Sequence, residues 1–246
     1  MRYELAKTKN VRKFMAVLNE LRNRPMGVEG MGILWGEPGE GKTTVLAYAT
    51  NQLNGIFLRA KRGWTMTSLL ETMIVEMGGP PMWRRSRMED WIERQLMEAQ
   101  EERIILVDEA DYLFTGRSMA GNDMLDVLRD IYDQTGTPVI LAGMENIARR
   151  IQEEGRFARR ITSWVEFKGI DQDDARIVAD TLCEVSVADD LLAHLHRECK
   201  ASIGNIVPAL SRIETFAKTN GRSAVSLDDW GDRPLYFAQP KFRKRG

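Results

Sequence analysis

Two cysteines among 246 residues, Cys183 and Cys199, are too few for a disulfide framework and fit a reducing compartment. No run of about 18 apolar residues occurs, which excludes a membrane-spanning helix. The opening MRYELAKTKNVRKF has no apolar stretch behind its basic residues, so no secretory signal is read. A cytoplasmic location and no membrane partner are expected. Excess positive charge is missing as well: 35 Lys and Arg face 36 Asp and Glu, a net charge of −1. That balance excludes a uniformly basic nucleic-acid binder and leaves room for a local basic surface. His194, His196 and Cys199 lie together in HLHREC, but no second ligand cluster completes a zinc pattern, so the stretch reads as a helix.

What is present alternates between strand and helix signals. Val11, Phe14, Met15, Leu18 and Leu21 recur at helical spacing within 5–24, and Pro25 with the following glycines ends that helix. Strands are expected at 31–35, 55–59, 103–107, 137–143 and 161–167. Helices are expected between them, near 43–53, 65–78, 87–101, 123–135 and 145–153. Strands separated by helices imply a parallel sheet covered on both faces. From 171 to 219 three helical stretches follow with no strand, and Ser226 stands three residues before Asp229 in a capping-box spacing.

The strand at 31–35 runs directly into Gly36-Glu37-Pro38-Gly39-Glu40-Gly41-Lys42-Thr43, which satisfies G-x-x-x-x-G-K-[ST]. Glycines permit a tight loop whose N–H groups can face phosphate oxygens, and the helix that follows adds the positive end of its dipole. The expected cradle for ATP runs from Gly36 to Thr44, with Lys42 at the β- and γ-phosphates and the Thr43 hydroxyl on Mg²⁺. A second half comes from Ile104-Ile105-Leu106-Val107-Asp108-Glu109. Asp108 emerges at the carboxyl end of a buried strand, where open α/β sheets bind ligands, and is expected to hold the Mg²⁺ shell. Glu109 is expected to be the general base for the attacking water. The string Asp108-Glu109-Ala110-Asp111 suggests a helicase, but the chain is too short for two recombinase-like domains.

Together the phosphate loop, the strand ending in Asp108-Glu109, a further strand ending at Gly143 and a helical C-terminal piece resemble the AAA+ superfamily over roughly residues 8–215. Size and layout look most like the transposition ATPases, the phage Mu B-type target-DNA activators with TnsC and IstB as relatives. The resemblance implies an α/β P-loop AAA+ fold: a five-stranded, mostly parallel sheet with flanking helices, plus a small all-helical lid. The expected division is 1–30 for an N-terminal helix and linker, 31–169 for the nucleotide-binding domain, 170–231 for the lid and 232–246 for a basic tail. A polar sensor is implied at the end of the fourth strand, where Met144 stands and Asn146 is the nearest polar candidate. An arginine finger from a neighbouring subunit is implied before the fifth strand, at Arg156 or Arg159. A finger supplied in trans adds about 10³–10⁵ in rate, so a lone subunit should hydrolyse slowly. The lid arginine of many relatives is missing beside Gly204, with Arg212 further on.

The same resemblance implies ATP-dependent self-assembly into a homo-oligomer or filament on duplex DNA, with a transposase as protein partner. Sequence-independent binding needs only phosphate contacts, for which Lys61 and Arg62 beside Trp64, and Arg117 in the 115–122 loop, are the candidates. Arg84, Arg85 and Arg87 with Trp83 read as a solvated helix start. Two other classes fit the nucleotide site: a replication initiator or loader ATPase, and an ATPase acting on a protein client. The tail, ending PKFRKRG, is expected to be mobile or partner-dependent.

Overall fold

A computed structural model describes residues 1–114 and 123–235. The chain divides into two compact units, one of residues 10–167 and one of residues 1–9 with 168–246. The segment 1–30, read from the sequence as one helix and linker, is shared between them.

In the larger unit, helix α1 (Lys9–Arg22) buries Val11, Phe14, Leu18 and Leu21, the apolar face its spacing dictates. Its first residue, Lys9, belongs to the smaller unit. Then follow β1 (Met31–Gly36), α2 (Lys42–Gln52), β2 (Ile56–Arg59), α3 (Met66–Glu76), α4 (Arg85–Met97) and β3 (Ile105–Asp108). A 3-10 helix (Ala110–Phe114), α5 (Asp123–Thr135), β4 (Val139–Gly143), α6 (Glu145–Glu153), the single turn α7 (Gly155–Ala158) and β5 (Ile161–Phe167) complete it. The strands lie in the order β2-β3-β4-β1-β5, and every pairing is parallel.

Position in that sheet explains each strand's composition. Central β3 and β4, ILVD and VILAG, are buried at every residue, because helices cover both faces. Edge strand β5 alternates buried and exposed positions instead. All carboxyl ends lie at one edge of the sheet, so the phosphate loop after β1, the acids after β3 and the turns after β2 and β4 gather there.

The smaller unit contains α8 (Gln172–Leu182), α9 (Asp189–Glu198), α10 (Ile203–Thr219) and the single turn α11 (Leu227–Trp230). It also holds β6 (Ser186–Val187) paired in parallel with β7 (Ala224–Val225), which corrects the expectation of no strand in 171–219 and of an all-helical lid. Two residues per strand are too few for alternation to register in sequence. The Ser226–Asp229 capping box forms, with Ser226 Oγ accepting from the Asp229 N–H. His196 Nε2 bonds the Ile170 carbonyl at 2.6 Å. Cys183 and Cys199 are buried, and burial pushes both thiols up to about 11, so neither is a ready nucleophile. Among the described residues no helix is long and apolar enough to cross a membrane.

Candidate nucleotide site

Gly36 ends β1 with φ 154°, and a Cβ there would lie 2.2 Å from the Phe167 carbonyl oxygen of β5. Only glycine lets the two strands stay paired at the point where the loop departs. Gly39 and Gly41 both have φ 86°, the left-handed region that side chains disfavour, and Gly41 is the N-cap residue of α2. Glu37, Pro38 and Gly39 are exposed, whereas Glu40 is buried. Lys42, Thr43 and Thr44 form the first turn of α2, whose leading N–H groups have no intrahelical acceptor.

The two sequence motifs meet. Thr43 Oγ1 donates to Asp108 Oδ2 at 2.8 Å, and the second oxygen of Asp108 accepts the Glu109 N–H at 3.0 Å. Asp108 is only 3% exposed, so both hydrogen bonds hold a desolvated carboxylate. Lys42 Nζ donates to the Gly36 and Glu37 carbonyls at 2.7 and 2.8 Å, folding its ammonium over the loop. Burial lowers the Lys42 pKa, opposed by the charges of Asp108, Glu109, Glu40 and Asp111. An ammonium, a hydroxyl and a strand-end carboxylate around a glycine loop are the donor set that a metal-bound polyphosphate requires. The residues fit that group.

Glu109 has φ 54°, an uncommon conformation for a residue with a side chain, adopted where the chain leaves β3. Its carboxylate lies 3.8 Å from Arg59 Nη2, at the end of neighbouring β2. Arg59 is level with Asp108 in the β2–β3 register. Arg59 is not among the residues that the sequence singles out, because its partner Glu109 lies far away in the chain and is reached only through the β2–β3 register.

Asp111 was missed as well. Its Oδ2 accepts the Met144 N–H at 2.7 Å, and a Cβ on Gly143 would lie 2.3 Å from that oxygen. The polar side chain bonded to the end of β4 is therefore Asp111, reaching across from the 3-10 helix. The fourth member of the Asp108–Asp111 string was the available signal. Asn146, the sequence candidate, is exposed on α6 and its Oδ1 accepts from Arg149 Nη2 at 3.1 Å.

Arg156 and Arg159 are exposed, on and just after α7. Arg160 differs: its Nε donates to Asp133 Oδ1 at 2.6 Å and its Nη2 pairs with the other oxygen at 2.5 Å. Lys61 and Arg62 are exposed in the turn after β2, closed by the Trp64 N–H on the Lys61 carbonyl at 3.0 Å. Arg117 and its 115–122 loop, and tail residues 236–246, lie outside the described residues.

A family model described as an AAA domain matches residues 26–151, just over half of the chain. Among solved structures the chain is similar to Cdc6p from Pyrobaculum aerophilum, with 16% identity, TM-score 0.67, and coverage of 93% of this chain and 66% of that one. The Aeropyrum pernix ORC2 protein in its ADPNP–ADP complexes is similar at 14% identity and TM-score 0.69, covering 93% and 67%. The A. pernix ORC1 protein in complex with DNA follows at 15% identity and TM-score 0.60, covering 88% and 61%. The chain thus spans about two thirds of the length of the structures it matches, and at these identities the likeness establishes the fold alone. No curated protein sequence matches it. By the match over 26–151 and the five-stranded phosphate-loop sheet that carries it, the chain belongs to the AAA family of P-loop ATPases.

Proposed function

We propose that the chain is a Mg²⁺-dependent ATPase whose nucleotide state governs self-assembly on DNA, in a role of the replication initiator or loader type. The observation that carries the nucleotide chemistry is the 2.8 Å hydrogen bond from Thr43 to buried Asp108. It joins the phosphate loop to the strand-end acids at the point where a metal would be shared. Mg²⁺ held there would neutralise charge on the phosphates. Lys42, now on two loop carbonyls, would hold phosphate oxygens, and Thr43 and Asp108 would hold the metal. The loop from Gly36 to Gly41 offers backbone N–H groups, and Thr44 continues the helix start behind it. Glu109 takes the proton of the attacking water once its carboxylate leaves Arg59. Arg156 or Arg159, both exposed, is supplied to a neighbouring copy's site.

DNA as the partner is supported by the fold shared with the ORC1 protein solved on DNA and by the exposed pair Lys61 and Arg62. Contacts of that kind are made to phosphates and are indifferent to sequence; repetition along an oligomer adds avidity. The solved structures similar to this chain favour the initiator type over the transposition branch that size and layout suggested. None of those described above is a transposition ATPase, and a transposase partner has no support from them.

The test is a gel shift on unrelated duplexes with ADP, ATP or a non-hydrolysable analogue. The reading expects a salt-sensitive shift that needs ATP or its analogue, with Glu109→Gln giving longer-lived complexes on ATP. A chain that hydrolyses ATP yet shifts no DNA at low salt would instead be acting on a protein client.

A further inference from the structure

Trp83 is 90% exposed, beside three arginines that open α4, and the packing of the larger unit does not use it. Trp64, Met66, Met82 and Trp91, by contrast, lie partly buried against the core. An indole left in water at the head of a helix costs hydrophobic burial that its neighbours obtain.

In sequence this cluster is some twenty residues from Lys61 and Arg62, and the fold joins them. Arg85 Nη1 approaches Met66 Sδ at 3.5 Å, and Met66 begins α3 directly after the turn that carries Lys61, Arg62 and Trp64. The start of α4 therefore lies beside the first residue of α3, which the turn after β2 leads into. Lys61, Arg62, Arg84 and Arg87 are all exposed, and none forms an ion pair with a described residue. Arg85 has Glu89 at 3.4 Å, one turn along the same helix, and Arg59 has Glu109. Four exposed cations without an ion pair among the described residues, and a bare indole next to one of them in the chain, complement a flexible polyanion that also carries flat π faces. Single-stranded nucleic acid has both, whereas bases in a duplex keep their faces stacked on one another.

We infer that the start of α4 and the turn after β2 form a face for nucleic acid with unpaired bases, in which Trp83 stacks on a base while Lys61, Arg62, Arg84 and Arg87 meet phosphates. This rests on the DNA reading above and deepens it: the surface selects opened or distorted strands over intact duplex.

The experiment uses the full chain with a non-hydrolysable ATP analogue, titrated against fluorescent oligo(dT) and a duplex of equal length over a range of salt. Trp83→Ala should weaken oligo(dT) binding about tenfold, the value of one stacked base, and duplex binding less than about twofold. Trp83→Tyr should restore most of the loss. Arg84→Gln with Arg87→Gln, which spares the Arg85–Met66 contact, should flatten the oligo(dT) salt slope by about 1.4. Exposed positions should leave the unfolding midpoint unchanged, which separates a binding defect from a folding one. If both α4 variants bind oligo(dT) as the parent does, while Lys61→Gln with Arg62→Gln weakens binding, this inference falls and the DNA reading stands. If the parent binds neither DNA form, the DNA reading fails and this inference with it. Capture by phosphatidylserine vesicles without oligo(dT) binding overturns the inference in favour of a membrane surface.

Discussion

Replacing Asp108 with Asn should separate the stability of the site from its function. The carboxylate is 3% exposed and makes two bonds, at 2.8 Å from the Thr43 hydroxyl and 3.0 Å from the Glu109 N–H. An asparagine can keep both: its oxygen accepts the Glu109 N–H, and its amide N–H donates to Thr43, whose hydroxyl turns to accept. Exchanging charge-assisted bonds for neutral ones costs about 1 kcal/mol, which relief of a buried charge offsets in part. The net change should stay within about 1 kcal/mol, or roughly 2–4 °C in melting temperature for a chain of this size. Ligand response should change far more. At about one hundred times its Kd, Mg·ATP stabilises the parent by about 2.7 kcal/mol, an upward shift of roughly 5–11 °C. Asp108→Asn lacks the anionic oxygen proposed to hold the metal, so its shift should fall below about 2 °C. Thermal melts with and without Mg·ATP, and with ATP plus a chelator, measure both quantities together. A variant that loses more than about 10 °C on its own would make the Asp108 charge structural. A full Mg·ATP shift in that variant would remove Asp108 from the metal site.

Three further outcomes follow from the same geometry. Arg59→Ala removes an exposed ion pair worth at most about 1 kcal/mol, so it should raise basal ATP turnover up to about fivefold at unchanged nucleotide affinity; slower turnover would give Arg59 another role. Arg156→Ala and Arg159→Ala should leave the unfolding midpoint within about 0.5 kcal/mol of the parent while lowering turnover in the assembled state, whereas Arg160→Ala should lower stability by breaking its Asp133 bonds; equal stability losses in all three would contradict the assignment. Burial alone would raise the Glu214 carboxyl, but hydrogen bonds from Lys218, the Met1 amino group and the Glu184 N–H outweigh it and hold it down to about 2. A depressed carboxylate stabilises fully above its ordinary value of 4.5 and loses that contribution as pH falls toward 2. Denaturant unfolding followed by circular dichroism over that window should show a steeper loss in the parent than in Glu214→Gln, and parallel curves would sink the claim.

The parts of the fold that were legible in sequence are those whose physics is local. A 3.6-residue apolar period located α1, and continuous apolar runs located β3 and β4, because burial on both faces leaves no polar alternation to misread. Glycines at 36, 39 and 41 were readable because the loop needs backbone angles that other residues resist. What sequence did not reveal depends on partners distant in the chain. Asp111 meets Met144 across two strands, and Arg59 meets Glu109 only once β2 and β3 are in register. Likewise the sequence separates Met66 from Arg85, and packing of α3 beside α4 brings them into contact. The β6–β7 pair escaped for a different reason, having too few residues to carry a pattern.

Calorimetric titration of ATP into the parent and into Lys42→Ala, each with Mg²⁺ and with chelator, tests the shared phosphate and metal site most directly. The site geometry predicts saturable heat for the parent with Mg²⁺, a weaker interaction with chelator, and none for Lys42→Ala of unchanged melting temperature. Equal binding by Lys42→Ala and the parent, or no heat from well-folded parent protein, would contradict it.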